Sequence, residues 1–546
     1  MNSGTARPSS VKLWAAVGLS AALLELPFPL AGPLPPWRSV FAWFGLVPLL
    51  WAIFSVAGSD EPRPLRRTFL LSYICGVLWY VGNCYWIRDV MSQYGDMPFL
   101  APTLLLIGYS LVLGAYFGLF GLAVAVVRRG SGSVPIALVA APVFWVALEL
   151  AAARITSVPW DQLGYSQVDN ALVNQLAPWT GVYGISFLLV AVNAVIAGAL
   201  SLEQTAQRRI YGIAGVVLAA GLSAGLLLKP PAPQPTATAV LIQPNLDVAG
   251  QSLWSAAGEW DHHIADFARM AAERCGSFIA GMPQTGVPMT TPTCGHIVEP
   301  DLMAWPESPA PFFEDDARFQ KSVVAIAQVN KTPLVVGNIG MDLAPETGTF
   351  REFNSALVVS ADGTRVGRYD KIHLVPFGEY VPFSKLLFFA KKLTGKVSRF
   401  DRGDQRKVFR LGGHRYGVFI CYESVFADEV REFSELGAEV LVNISDDGWY
   451  GDTSAPWQHL NMARMRAIEN RRWILRDTNN GVTASIDPYG RVRQSIPRHA
   501  QEALVAGYGF RDDITFYSAH GDVFAWLCAL SAAVAMAWSG RKLIVA

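Results

Sequence analysis

Between Leu13 and Leu228 the chain runs through seven apolar stretches, at about 12–30, 38–57, 68–88, 101–127, 134–152, 182–201 and 210–228, and an eighth at about 522–540 closes it. Each approaches the roughly 20 residues a helix needs to cross a hydrocarbon core. This succession constrains the fold more than anything else in the sequence: it predicts a polytopic α-helical membrane domain of about eight transmembrane helices. The first stretch has no clear small-residue cleavage site and further spans follow it directly, so it reads as retained and not as a signal peptide.

Basic residues set the orientation. Arg7 and Lys12, then Arg63, Arg66 and Arg67, then Arg128 and Arg129, then Arg208 and Arg209, and finally Arg541 and Lys542 occupy alternate connections, while the intervening ones carry little more than Arg88 and Arg154. Cytoplasmic loops hold such an excess of Lys and Arg. Both termini are therefore expected on the cytoplasmic side and the long segment from Lys229 to His520 outside. Within the spans Glu25 and Glu149 are the clearest ionisable residues, and they have no obvious chain of partners that would mark a transport path.

The linker KPPAPQPTAT at 229–238 cannot continue a helix and marks a boundary. It divides the chain into an N-terminal membrane domain (1–230), an extracytoplasmic domain (231–513) and a C-terminal transmembrane helix (514–546). In the middle part strand-like runs recur at Ala239–Ile242, Leu302–Trp305, Leu334–Val336, Ser355–Val359, Tyr416–Ile420 and Val440–Ile444. Helical patterns lie between them, at Asp261–Ala272, Ala317–Val329, Phe426–Leu436 and Trp457–Arg472. That alternation predicts an α/β layer domain. Gly276–Pro300, rich in Gly, Pro and Thr, interrupts the rhythm as a surface insertion. Cys275 and Cys294 flank most of it, and a disulfide between them is permitted outside the cytoplasm, although spacing says nothing about its geometry.

With 44 basic and 44 acidic residues there is no global basic field, so nucleic-acid binding is excluded as a function class. The six cysteines show no C-x-x-C zinc spacing. Asp446, Asp447 and Asp452 fit no calcium loop and have no histidine constellation, so neither metal nor cofactor is expected.

Four stretches carry groups capable of chemistry. In RYGVFICYES (415–424) a buried strand delivers Cys421 to its end with Tyr422 and Glu423 behind it; this is a nucleophile candidate, though a lone free cysteine is more often a small buried hydrophobe. In DLMAWPESPAP another strand ends at Trp305-Pro306 and presents Glu307 at its tip, where α/β domains gather their ligands. YDKIHLVPFGEYVPF (369–383) sets Lys371, His373 and Glu379 among aromatics and prolines, a setting that perturbs pKa values. His373 is either the base of a Cys-His dyad or a loop-fixing hydrogen-bond partner, and the residues alone leave both open. The fourth, NISDDGWYGD, runs from a strand end into an acidic, aromatic loop holding Trp449.

Taken together, WPES at 305–308, YDKIHLVPFGEYVPF at 369–383 and ICYES at 420–424 resemble the nitrilase superfamily over roughly 239–512. With seven preceding spans, one following span and TFYSAHGDVFAW at 515–526, the likeness extends to its membrane-embedded branch, the apolipoprotein N-acyltransferases of the bacterial cytoplasmic membrane. The resemblance implies a nitrilase-like α-β-β-α sandwich with Glu307 as general base, Lys371 as oxyanion stabiliser and Cys421 as nucleophile. It implies supporting roles for Glu379, Tyr422 and Glu423, and for Trp254 and Trp449 on the substrate side. Phe377, with Phe383, Leu386, Leu387 and Phe388, is a candidate apolar wall toward the bilayer, or equally ordinary domain core.

The implied reaction moves a fatty acyl chain from a membrane phospholipid, through a thioester, to the α-amino group of a diacylated apolipoprotein cysteine. The alternatives are a membrane-anchored carbon–nitrogen hydrolase using water, and a non-catalytic lipid-binding scaffold. Two departures stand out: the insertion lengthens the distance from Trp254 to Glu307, and Asp446 stands where the family leads one to expect asparagine.

Overall fold

A computed structural model describes residues 9–94, 100–202, 204–248, 259–272, 299–307, 312–344, 348–376, 378–380 and 400–545. Among these, six helices are long and apolar enough to cross a membrane, or seven if one bent pair is a single span. The bent pair is Pro64–Asn83 and Trp86–Tyr94, turned by 47°. The turn follows from what its far arm meets: the Tyr85 hydroxyl accepts from the Ser454 amide at 3.1 Å, and the Tyr94 hydroxyl donates to the Gly448 carbonyl at 2.9 Å. Both partners belong to the α/β part. The stretch expected at 12–30 is a helix only over Ser10–Glu25, rising roughly 24 Å against a hydrocarbon core of about 30 Å. Pro27 and Pro29 stop it, since proline removes a backbone donor and clashes with the preceding turn.

The α/β part holds two six-stranded sheets. The first has the order β12-β1-β2-β3-β4-β5, with β1 Ala237–Gln243, β2 Leu302–Trp305, β3 Leu334–Ala344, β4 Thr349–Val359, β5 Arg365–Asp370 and β12 Glu502–Tyr508. The second has the order β11-β10-β9-β8-β7-β6, with β6 Val408–Leu411, β7 His414–Ile420, β8 Val440–Ser445, β9 Ile474–Thr478, β10 Ala484–Ile486 and β11 Val492–Ser495. Each sheet has a parallel core, β1-β2-β3 or β7-β8-β9, flanked by antiparallel strands.

Residue alternation dictates the layers. In the first sheet Ala239, Leu241, Ala304, Val335, Ala356 and Val358 face the second sheet. Their neighbours Val240, Ile242, Met303, Trp305, Val336 and Leu357 face helices Glu259–Ala271 and Ala317–Asn330. Strands buried on both faces read as continuous apolar runs, which is why these were legible. Each of the valine, leucine, isoleucine and methionine side chains among them contributes about 1.5–3 kcal/mol of burial.

The second sheet is covered differently. Helix Ala455–Asn470 is buried along its whole length except at Trp457. Leu460 and Ala467 join the cluster of the sheets, whereas Met462, Met465 and Ile468 join the apolar cluster of the membrane helices together with Tyr422, Val425 and Phe426. One helix is thus shared by both halves of the molecule. Cys275, Cys294 and nearly all of the Gly276–Pro300 insertion lie outside the described residues.

Candidate active site

Strand ends assemble the site. β2 stops at Trp305, whose ring stacks on Phe267 at 4.3 Å in the outer layer, and Pro306 then turns the chain so that Glu307 stands beyond the strand. β7 stops at Ile420, and Cys421 opens a short 3-10 turn with φ of +49°. That left-handed conformation is costly for a residue with a Cβ and persists only where its surroundings enforce it.

Glu423 supplies much of that enforcement. Its Oε2 accepts from the Ile420 amide at 2.7 Å, while Oε1 accepts from the Tyr369 hydroxyl at 2.8 Å, the Ile372 amide at 2.7 Å and the His373 amide at 3.2 Å. One buried carboxylate therefore ties the turn that carries Cys421 to the loop that carries Lys371. Burial pushes its pKa up to about 7 even against these donors.

Lys371 is 1% exposed and donates to Glu307 Oε1 at 2.9 Å and to Glu379 Oε1 at 3.0 Å. Asn354 Nδ2 repeats the pattern, at 2.7 Å and 2.6 Å to the same two oxygens. Glu307 Oε2 accepts from the Asp446 amide at 2.9 Å, and Glu379 Oε2 from the Val375 amide at 2.7 Å. Burial alone would raise the Glu307 carboxyl, but Lys371, the adjoining Cys421 thiol and Asn354 hold it below its ordinary value. Burial disfavours the charged ammonium of Lys371 too, yet Glu307 and Glu379 outweigh it and keep it well above the usual lysine range. Burial, with the Glu307 charge beside it, pushes the Cys421 thiol well up, against Lys371. At rest the proton sits on sulfur, next to a carboxylate able to receive it when charge develops elsewhere.

A second buried set lies behind the nucleophile turn. Arg476 Nη2 donates to both oxygens of Asp447, at 2.9 Å and 2.7 Å. His459 Nδ1 is 2.9 Å from Asp447 Oδ1, and its Nε2 is 3.0 Å from the Cys421 carbonyl and 2.7 Å from Ser424 Oγ. All of Asp447, His459 and Arg476 are fully buried. Against the cost of burial, Arg476 and His459 hold the Asp447 carboxyl far below its usual range; burial and Arg476 lower His459.

The ambiguity of His373 resolves here. Its Nδ1 is 2.9 Å from Glu429 Oε1, and its ring stacks on Phe426 at 3.5 Å, so it fixes the loop rather than addressing the thiol. The Asp446 departure is equally local: its backbone amide serves Glu307, while its side chain accepts from the Gly448 amide at 3.0 Å and Asn479 Nδ2 at 3.2 Å. Tyr422 is buried against Phe426 and Trp160. Trp449 is 39% exposed, with its ring edge-on to Tyr94 at 5.5 Å. Trp254, Phe377, Phe383, Leu386, Leu387 and Phe388 lie outside the described residues.

Sequence reasoning missed Asn354, His459 and Arg476.

Two sheets with helical outer layers and a buried Glu, Lys and Cys at their strand ends define a nitrilase-like enzyme, and residues 243–507 match the family described as carbon-nitrogen hydrolase. Residues 20–195 match the apolipoprotein N-acyltransferase N-terminal domain. An apolipoprotein N-acyltransferase of Geobacter metallireducens is 34% identical over 538 residues, covering 96% of this chain and 94% of that one. One of Pseudomonas putida is 30% identical, covering 91% and 92%. Among solved structures, yeast Nit3, a member of branch 10 of the nitrilase superfamily, aligns at 16% identity with a TM-score of 0.35, over 50% of this chain and 90% of its own. The chain belongs to the apolipoprotein N-acyltransferase family, and it is an acyltransferase.

Proposed function

We propose that Cys421 carries an acyl group between two lipid-anchored substrates, with Glu307 as base and Lys371 as oxyanion stabiliser. In the first transfer Glu307 takes the thiol proton as sulfur attacks the ester carbonyl of a membrane phospholipid. The tetrahedral oxygen becomes negative beside the Lys371 ammonium, the ester C–O bond breaks, and the proton passes to the departing lysophospholipid oxygen. In the second, the neutral α-amino group of an S-diacylglyceryl cysteine attacks the thioester, its proton goes to Glu307, and collapse yields the amide and the free thiol. One donor aimed at a developing oxyanion is worth about 10²–10³ in rate.

The observation that carries this reading is the Lys371 ammonium, gripped by Glu307 at 2.9 Å and Glu379 at 3.0 Å beside a cysteine in left-handed conformation. The shared helix Ala455–Asn470 supports a site that opens at the bilayer surface, where both substrates reside and bulk water is sparse. In this reading the membrane is the bacterial cytoplasmic membrane, both termini face the cytoplasm, and the catalytic domain at 231–513 lies on the extracytoplasmic side between the membrane domain and the final helix.

The test is direct. Protein in detergent, incubated with phospholipid alone, should gain one acyl mass on wild type and none on Cys421→Ala; an adduct on the alanine variant would falsify the assignment. A diacylated lipopeptide should then discharge it. Rapid discharge by water would point to a hydrolase instead.

A further inference from the structure

The bent pair Pro64–Asn83 and Trp86–Tyr94 ends in an arm that buries none of its residues. A helix that short is marginal in water by itself, so what it touches is informative. Four successive residues of one turn, 448–451, each meet it. The Tyr94 hydroxyl donates to the Gly448 carbonyl at 2.9 Å, and the Tyr94 ring stands edge-on to Trp449 at 5.5 Å. Trp86 is edge-on to Tyr450 at 5.4 Å. Gly451, at φ of +57°, passes so near that a Cβ there would stand 2.9 Å from Gln93 Oε1.

The same turn holds the base. The Gly448 amide donates to Asp446 Oδ1 at 3.0 Å, and the Asp446 amide donates to Glu307 Oε2 at 2.9 Å. Lys371 and Asn354 hold the other oxygen, Oε1. The Asp446 amide therefore fixes the second end of the carboxylate, and with it the plane that Glu307 presents to the thiol. The α/β part grips this turn from its own side, through Arg498 on the Gly451 carbonyl at 2.7 Å and Asn479 on Asp446 Oδ1 at 3.2 Å. Gly448 stands between the two halves, its amide turned to Asp446 and its carbonyl to Tyr94.

We propose that Tyr94 is a positioning residue for the base: from the membrane half it holds Gly448, and through Gly448 and Asp446 it sets how Glu307 faces Cys421. This role rests on Glu307 acting as base in the acyl transfer proposed above. It also gives the bend a purpose that crossing a bilayer does not. Straightening a nine-residue arm by 47° would move its end by roughly 10 Å, far beyond reach of the Gly448 carbonyl.

A carboxylate that loses a donor takes up a proton more readily. The readout is therefore the acidic limb of acyl-adduct formation by full-length protein in detergent with phospholipid alone, followed where intrinsic fluorescence shows the fold intact. Tyr94→Phe removes a single oxygen and should move that limb upward by about half a pH unit, with the maximal rate about three-fold lower. Tyr85→Phe is the matched control on the same bent pair. Its hydroxyl sits between the Leu30 carbonyl at 2.8 Å and the Ser454 amide at 3.1 Å, away from Gly448 and Asp446, and its loss should leave the limb in place. The charged and titratable groups facing Glu307 are Lys371, Glu379, Cys421, Asp446 and Tyr450. Of these Asp446 lies on the route, so the shift should persist in an Asp446→Asn background. An unmoved limb in Tyr94→Phe overturns the role whatever the rate does, because a merely structural loss slows the reaction without changing how the base titrates. An equal shift in Tyr85→Phe, or a shift that vanishes with Asp446→Asn, overturns it as well. If wild-type protein forms no acyl adduct, the acyltransfer reading fails by itself. The same comparison is then read from the pH dependence of Cys421 alkylation by iodoacetamide, which needs no acyl donor.

Discussion

The two sheets follow one plan, antiparallel, parallel, parallel, antiparallel, antiparallel, and corresponding strands end in comparable hardware. After β2 comes Glu307 and after β8 comes Asp447, each buried and each paired with a cation. The pairs nevertheless do different things. Arg476 meets both oxygens of Asp447, and His459 and Ser445 take what remains. Both contacts come from Nη2, while Nη1 donates to Asn443, so the guanidinium is tied to two side chains and holds the carboxylate in place. Lys371 instead meets Glu307 through a single point charge shared with Glu379, with the Cys421 thiol alongside. Asp447 is held only by donors that keep their protons and makes a brace; Glu307, held as fully by Lys371, Asn354 and the Asp446 amide, also has the Cys421 thiol among its donors and can take its proton. The difference between support and chemistry lies in coordination, not in burial or residue class.

Substitutions can break that contrast. The largest effect is expected for Glu307→Gln, which keeps shape and burial but removes the base: acyl-adduct formation in single-turnover mass measurements should slow about 10³-fold, with little change in thermal unfolding. Asp447→Asn should invert the pattern. It leaves Arg476 buried without its counter-charge, so stability should fall by about 3 kcal/mol, read from denaturant unfolding, while adduct formation in the surviving fold slows far less. A variant that loses rate as severely as Glu307→Gln without losing stability would erase the distinction.

Lys371→Arg sharpens the comparison by putting a fork where a point charge stands. The planar group cannot reproduce the two single contacts in the same space, and adduct formation should slow about 10²-fold although the charge is kept. The smallest effect is on pH dependence. Glu307 and Asp447 are both held below their ordinary values of 4.5 and 3.8, so the folded pKa values lie below the unfolded ones. The stability they contribute is complete above those unfolded values and is lost as pH falls through the folded ones. Melting temperature should therefore decline below about pH 4, and Asp447→Asn should flatten that decline.

Much of this was legible before any coordinates. β2 falls where the apolar run Leu302–Trp305 placed it, and β7 and β8 within a few residues of their runs, because parallel strands buried on both faces leave unbroken hydrophobic signals. Glu307 and Cys421 stood out as candidates because each follows the end of an apolar run, whereas Lys371 was singled out by its charged, aromatic loop and by the resemblance that YDKIHLVPFGEYVPF carries. β9 was hidden by its own function: Arg476 and Asp477 interrupt ILRDT, and both are buried there. β5 and β11 lie on partly exposed sheet edges, where charged and polar residues break any apolar run. Asn354 acts through Glu379 and Glu307, 25 and 47 residues away, and His459 through Asp447, Ser424 and Cys421, 12, 35 and 38 residues away, and nothing local announces contacts of that kind.

Helix Ala455–Asn470 has a consequence for how this enzyme can be handled. In a free-standing sandwich the outer face of such a helix would be solvated, whereas here Met462, Met465 and Ile468 lean on membrane helices, and Arg466 donates to Tyr165 at 3.0 Å in the membrane half. Excising the α/β part to obtain a soluble fragment would strip one wall from its own interior. Such a fragment should precipitate or cling to detergent, so inhibitor screening against this family member calls for the intact, lipid-embedded chain.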